Sequence, residues 1–275
     1  MIHQNDRPLS SLAFLMLLIL SARSFAFAEE PAAKTTGDWG QLAGRFVYAG
    51  EPPKRDVLEL NKDIEFCSKF KPRDEELIVD AKTRGLKNVV LWLEPAADEE
   101  APPVHPSYEK TAQAKIRLDN AECRFAPHIC VLRTTQTLVI GNQDKINHNA
   151  AVFFFKNDPF NENIPTGDTV EKTLPKPERL PAKVTCPIHA WMLGYVVLKD
   201  HPYVAVSGDD GKFEFKNLPK GEWTFRAWHE KAGYLTEVKL GGKLQTWDAG
   251  KVTVNIKPGN NAWGDVELAP ALFQK

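Results

Sequence analysis

Cys186, His189 and Met192 lie at intervals of three residues, and their side chains could bind one metal ion. A thiolate, an imidazole and a thioether are ligands of soft and borderline metals, and two His, one Cys and a weak axial Met form a blue-copper electron-transfer site. The second histidine must come from elsewhere in the chain, and the best candidate is His148. We therefore predict one type 1 copper ion bound by these four residues.

The elements around these residues must bring them together. His148 opens one predicted strand, whereas Cys186 ends another and a further strand begins at Gly194. Ligands on two neighbouring loops at one end of a β-sandwich can converge, and loops on a rigid scaffold are common places for functional sites.

The ligand stretch resembles the ligand loop of the cupredoxins in its amicyanin-like form, Cys-x-x-His-x-x-Met. The resemblance extends over about residues 112–200. It implies that His148, Cys186 and His189 are the in-plane ligands and that Met192 is the long axial ligand. It also implies that Asn149 pins the two ligand loops together, with a backbone N–H that can reach the thiolate.

A second resemblance concerns the flanking segments. The Asp210-Gly211 turn, the Phe213-x-Phe215 strand and the Leu218-Pro219-x-Gly221 turn resemble the carboxypeptidase-regulatory-like, transthyretin-like sandwich. We expect residues 38–95 and 201–275 to form one such module, with a cupredoxin domain at 112–200 inserted into it. Together the parts resemble secreted bacterial methylamine-utilisation-like cupredoxin proteins, a label that implies no substrate here.

The pattern of apolar runs and turns is β throughout and predicts a cupredoxin-like Greek-key β-sandwich plus a second small β-sandwich. The acidic, Pro-rich residues 96–111 indicate a linker. Residues 156–169, rich in Asn, Pro and Asp, are interpreted as a long loop. Strands are predicted at 115–119, 129–133, 137–141, 150–155, 170–174, 182–186 and 194–199.

The N-terminus is typical of an exported protein. Residues 1–28 contain an apolar run and end in Ala26-Phe27-Ala28, which predicts a signal peptide; residues 29–37 are interpreted as a flexible leader. Cleavage after Ala28 would leave a periplasmic or secreted protein with no membrane span, and an uncleaved anchor is the alternative. The formal charge is −1 and no basic stripe is present, so nucleic acid is not an expected partner.

The chain has four cysteines. If Cys186 binds metal, one disulfide can form among the remaining three, and Cys67 with Cys123 is the first choice because both lie in charged, turn-like sequence. Cys130 lies in an apolar strand, where a buried free thiol is common. The sequence leaves the pairing open.

These observations favour a one-electron carrier that is not an enzyme. No His-x-His pair is present, which argues against a multicopper oxidase. Electrons would pass through an exposed edge of His189 to a c-type cytochrome or a dehydrogenase, and Trp191 is either a packed aromatic or part of an apolar docking patch. The alternatives are a copper storage or delivery protein, or a structural module with a vestigial site. His128 is interpreted as an ordinary strand-entry residue.

Overall fold

The computed structural model describes residues 38–95 and 101–274. Helical structure in these residues is limited to α1 (Ile64–Cys67) and to 3₁₀ segments at Ser68–Phe70, Pro106–Thr111, Asp248–Gly250 and Pro270–Phe273. None of these helices is long and apolar enough to span a bilayer. The predicted signal peptide, the leader and residues 96–100 of the predicted linker lie outside the described residues.

The strands, in chain order, are β1 Trp39–Tyr48, β2 Val90–Leu93, β3 Lys115–Ala121, β4 Arg124–Ala126, β5 Ile129–Arg133, β6 Thr137–Asn142, β7 His148–Val152, β8 Phe160–Ile164, β9 Thr169–Thr173, β10 Ala182–Thr185, β11 Leu193–Lys199, β12 Val204–Val206, β13 Lys212–Pro219, β14 Gly221–His229, β15 Gly233–Tyr234, β16 Glu237–Leu240, β17 Lys243–Thr246, β18 Lys251–Ile256 and β19 Gly259–Leu268.

The strands form four sheets. Sheet A has the order β13-β1-β19-β16-β17, and sheet B has the order β12-β2-β14-β15 with β18 paired to β14. Sheet C has the order β5-β11-β10-β7-β8, and sheet D has the order β4-β3-β6-β9. The predicted all-β sandwich class is confirmed. Sheets A and B use strands from both flanking segments, and sheets C and D use strands between them. The described residues form one compact unit, so the division into domains stays a prediction.

Three clusters of buried side chains hold the sheets together. One contains side chains of sheets A and B, such as Phe46 and Phe225. A second contains side chains of sheets C and D, and it includes both Cys186 and Met192. The third joins sheets B and C, where Trp92 meets residues of β5 and β11. Sheet C, which carries the predicted ligand loop, is therefore covered on both faces.

Strand β2 shows how this packing follows from the sequence. Successive side chains of a strand point to opposite faces. Val90 and Trp92 accordingly enter the cluster between sheets B and C, whereas Leu91 and Leu93 enter the cluster of sheets A and B. A strand buried on both faces needs a continuous apolar run, which is what residues 89–93 provide.

The sequence analysis predicted no strand at β4, β8, β17 or β19, and β8 falls in a stretch that was interpreted as a loop. The predicted loop at 156–169 contains β8, which pairs with β7 from His148↔Ile164 to Val152↔Phe160. Strand β8 lies at the edge of sheet C. Edge strands can carry inward-pointing charged residues. Glu162 lies on the same face of β8 as Phe160 and Ile164, so the sequence lacked the apolar alternation of a strand.

Candidate metal centre

Two loops at one end of sheet C position the predicted ligands. His148 is the first residue of β7, and Cys186 directly follows β10, which pairs with β7. His189 and Met192 lie in the turn from β10 to β11. Backbone hydrogen bonds close this turn, from His189 N to Cys186 O at 3.1 Å and from Met192 N to His189 O at 2.9 Å. The spacing of three residues therefore places Cys186, His189 and Met192 in one tight turn.

The donor atoms of His148, Cys186 and His189 converge. One ligand atom from each residue lies within 4.8 Å of the others, and Cys186 Sγ is 3.6 Å from His189 Nδ1. The exposed fractions of the three residues are 0%, 1% and 0%. Met192 is also buried and belongs to the same core cluster as Cys186. Two imidazoles and a thiol therefore face one another in a site closed to water.

A carboxylate sets the orientation of the His148 ring. His148 Nε2 lies 2.8 Å from Asp144 Oδ2, while the buried Nδ1 has no hydrogen-bond partner in the structure. A carboxylate on one ring nitrogen holds the proton there and leaves the other nitrogen free to bind a metal. Burial lowers the pKa of His148, but the Asp144 carboxylate and the Cys186 sulfur together outweigh it, so the pKa is raised.

Asp144 also connects the centre to a neighbouring turn. Its carboxylate accepts hydrogen bonds from the backbone N–H groups of Glu122 at 2.7 Å and Cys123 at 2.9 Å. Burial alone would raise the pKa of Asp144, yet the hydrogen bonds from His148 and from these N–H groups lower it. The carboxylate is thus ionised and fixed. The sequence analysis missed this residue, although an acid four positions before a predicted ligand was a usable signal.

His189 is covered by a residue from a distant part of the chain. Its Nε2 lies 2.9 Å from Oδ2 of Asp63, which directly precedes α1. The prediction of an exposed His189 edge is therefore wrong, because the Asp63 segment lies over it and leaves it 0% exposed. Asp63 is 126 positions away from His189, and no local pattern in the sequence could have joined them.

A disulfide holds the covering segment in place. Cys67, at the end of α1, is bonded to Cys123, and these are the two cysteines that the sequence analysis favoured. Cys123 follows Glu122 in the turn that Asp144 binds. The sulfur of Cys123 also lies within the ligand distance of Asp144 and His148, but a disulfide sulfur is not a thiolate donor.

Asn149 and Trp191 complete the surroundings of the thiol. The Asn149 backbone N–H donates to Cys186 Sγ at 3.3 Å. Its side chain donates to Asn161 Oδ1 at 3.0 Å. Trp191 is half-buried, its ring centroid lies 5.1 Å from that of His189, and its Nε1 donates to the Cys123 carbonyl at 3.1 Å. It is therefore a packed aromatic that stays partly exposed.

The two free thiols have opposite electrostatic environments. Burial would raise the pKa of Cys186, but the adjacent His148 and His189 imidazoles and the hydrogen bond from the Asn149 N–H outweigh it, and the pKa falls to about 6. Burial raises the pKa of Cys130 to about 12. Near neutral pH the first is a thiolate ready to bind a metal and the second is an inert thiol.

The donor set fits copper better than zinc. Two imidazole nitrogens with a single thiolate match the in-plane ligands of a blue-copper site. Structural zinc sites instead complete four-coordinate sets from Cys and His, and a thioether such as Met192 is a poor zinc ligand. The unpartnered Nδ1 of His148 indicates that this ring is oriented for an ion.

No protein-family model and no curated protein sequence matches the chain. Among solved structures, the chain is similar to a purple cupredoxin from Nitrosopumilus maritimus, with 22% identity over 32% of this chain and 100% of that one and a TM-score of 0.27. It is similar to a Cu-containing nitrite reductase from Thermus scotoductus, with 17% identity over 38% of this chain and 25% of that one and a TM-score of 0.27. It is also similar to a Cu(I) amicyanin variant, with 15% identity over 37% of this chain and 95% of that one and a TM-score of 0.27. These likenesses are too weak to carry a function, which must be inferred from the centre itself.

Proposed function

We propose that the chain binds one type 1 copper ion and carries single electrons. His148 Nδ1, Cys186 Sγ and His189 Nδ1 would hold the ion, with Met192 as the fourth ligand. The observation that carries this proposal is the convergence of an unpartnered imidazole nitrogen, a second imidazole and a thiol with a pKa of about 6 in one buried site. When bound, copper supplies one-electron chemistry by alternating between Cu(I) and Cu(II).

The surrounding residues keep the donors in position. Asp144 and Asp63 each hold the Nε2 side of one imidazole, and such partners orient a ligand and strengthen metal binding. The Asn149 N–H binds the thiolate. Burial excludes water, and the sheets that carry both loops are packed on each face. A site that changes little between two oxidation states suits electron transfer.

We further propose that the protein works in an oxidising compartment, as a periplasmic or secreted protein. The disulfide between Cys67 and Cys123 supports this, because disulfides persist in exported proteins and are rare in a reducing cytosol. The partner would be a redox protein such as a c-type cytochrome or a dehydrogenase. It would dock over Asp63 and Trp191, since these residues cover the His189 ring.

Copper titration of the purified full chain tests the proposal. One equivalent of Cu(II) should produce an intense visible thiolate-to-copper band that disappears on reduction and returns on oxidation. Cys186→Ser should abolish the band, whereas Cys130→Ser, which removes the other free thiol, should retain it. A colourless copper complex, or a band that survives Cys186→Ser, would refute the ligand assignment.

A copper storage or delivery protein would share these ligands. Delivery requires that the ion leave readily, and the burial of His148, Cys186 and His189 opposes this. We expect slow loss of copper to a strong chelator. Rapid and complete loss, together with irreversible reduction, would instead favour delivery.

A further inference from the structure

A second group of metal-binding side chains lines a cavity beside the candidate centre. The cavity has a volume of about 370 Å³ and reaches Trp191 and Met192. Its wall carries one histidine, several carboxylates and several basic side chains, which include His128, Glu75, Glu76, Glu230 and Arg124. Carboxylates alone do not make a site, and Glu75 already pairs with Arg124 through Oε1 at 3.6 Å. The proposed site therefore depends on His128 and on the second oxygen of Glu75.

His128 has the same arrangement as His148. Its Nε2 lies 2.5 Å from Glu230 Oε1, and its Nδ1 is buried without a hydrogen-bond partner. The side chains of His128 and Glu230 are 5% and 1% exposed. A carboxylate that holds one ring nitrogen while the other is left free is the usual environment of a metal-binding histidine. Glu230 Oε2 is also unpartnered.

Glu75 is placed to complete a site with this free nitrogen. Its Oε2 lies 3.7 Å from His128 Nδ1, which is too long for a hydrogen bond. Two ligands that are each about 2.1 Å from one ion, at an angle of about 110–125°, are about 3.4–3.7 Å apart. The gap therefore matches the space that one ion would occupy between the two atoms.

We propose that His128 Nδ1 and Glu75 Oε2 bind a divalent cation in this cavity, separate from the ion at Cys186. The cavity leaves room for water molecules as the remaining ligands. A site with nitrogen and oxygen donors and no sulfur suits a borderline divalent ion such as Zn²⁺. The two centres of the chain would thus select different metals. This inference does not depend on the proposed electron-transfer function.

Zinc titration by calorimetry, on the full chain carrying Cys186→Ser, tests this second site without the thiolate of the first. In that background Glu75→Gln should weaken one zinc-binding event by at least about tenfold, as expected when a metal ligand is lost. Glu76→Gln is the matched control, because it removes the same charge from the same cavity. It should change the affinity by less than about twofold, since Glu76 pairs with Lys231 instead.

Glu75 is preferred to the buried His128 as the test position because its side chain is partly exposed and its loss should not disturb the core. Circular dichroism should confirm that both variants fold. The proposal is overturned if the parent shows no zinc binding, if Glu75→Gln binds zinc as the parent does, or if both glutamine variants weaken binding equally. The last result would mean that the cavity attracts cations by charge alone.

Discussion

The sharpest prediction concerns the Cys186 thiol in the metal-free protein. Its pKa is lowered from 9.0 to about 6. This residue should therefore ionise at a pH about three units lower than an ordinary thiol. Cys130, whose pKa is raised to about 12, should stay protonated over the same range. One thiolate per chain is therefore expected at pH 7.5.

The shift also fixes the size and sign of an effect on stability. Three units correspond to at most about 4 kcal/mol between the two protonation states, because the interaction with His148 also raises the pKa of that histidine. Because the folded pKa is the lower one, the thiolate stabilises the fold fully above the unfolded pKa of about 9. This contribution declines as the pH falls and is lost below about 6.

Ultraviolet absorbance of the thiolate measures the titration directly. The metal-free full chain should show a step with a midpoint near pH 6. Cys130→Ser should keep this step, and Cys186→Ser should remove it. A midpoint near 8.5 to 9, the range of an unperturbed thiol, would show that the imidazoles and the Asn149 N–H do not stabilise the thiolate, and the reasoning about a preformed site would fail.

Three further predictions concern the residues around the centre. Asp144→Asn should lower copper affinity by about 10- to 100-fold, because His148 loses the carboxylate that orients it; an unchanged affinity in chelator competition would contradict this. Asp63→Ala should speed the loss of copper to a chelator in stopped-flow measurements while the visible band persists, and an unchanged rate would mean that the covering segment does not limit access. Removal of the disulfide by Cys67→Ser with Cys123→Ser should destabilise the fold by about 2–5 kcal/mol in urea unfolding, whereas a loss below about 1 kcal/mol would contradict this.

Much of the fold could be read from local patterns. The apolar runs at β2 and β11 predicted strands, because a strand buried on both faces needs apolar residues at successive positions. Strand β8 was missed because Glu162 interrupts the apolar alternation of its sequence, which an edge strand tolerates. Its pairing with β7, the strand that begins at His148, became visible only in the assembled sheet.

The donors of the candidate centre were also predictable, because a tight turn makes Cys186, His189 and Met192 neighbours through their spacing alone. His148 was inferred from its place at the start of a predicted strand, and a resemblance to a known ligand pattern supported the choice. The pairing of Cys67 with Cys123 was favoured by composition but left open, since sequence does not show which thiols approach each other.

The sequence by itself therefore determined the all-β class and predicted which residues could bind a metal, because strand pattern and donor chemistry depend on residue type and spacing. Only the tertiary structure decided what surrounds them. Asp63 meets His189 across 126 positions, and Glu230 meets His128 across 102. Such contacts depend on how sheets and loops pack in space, and no local interaction encodes them.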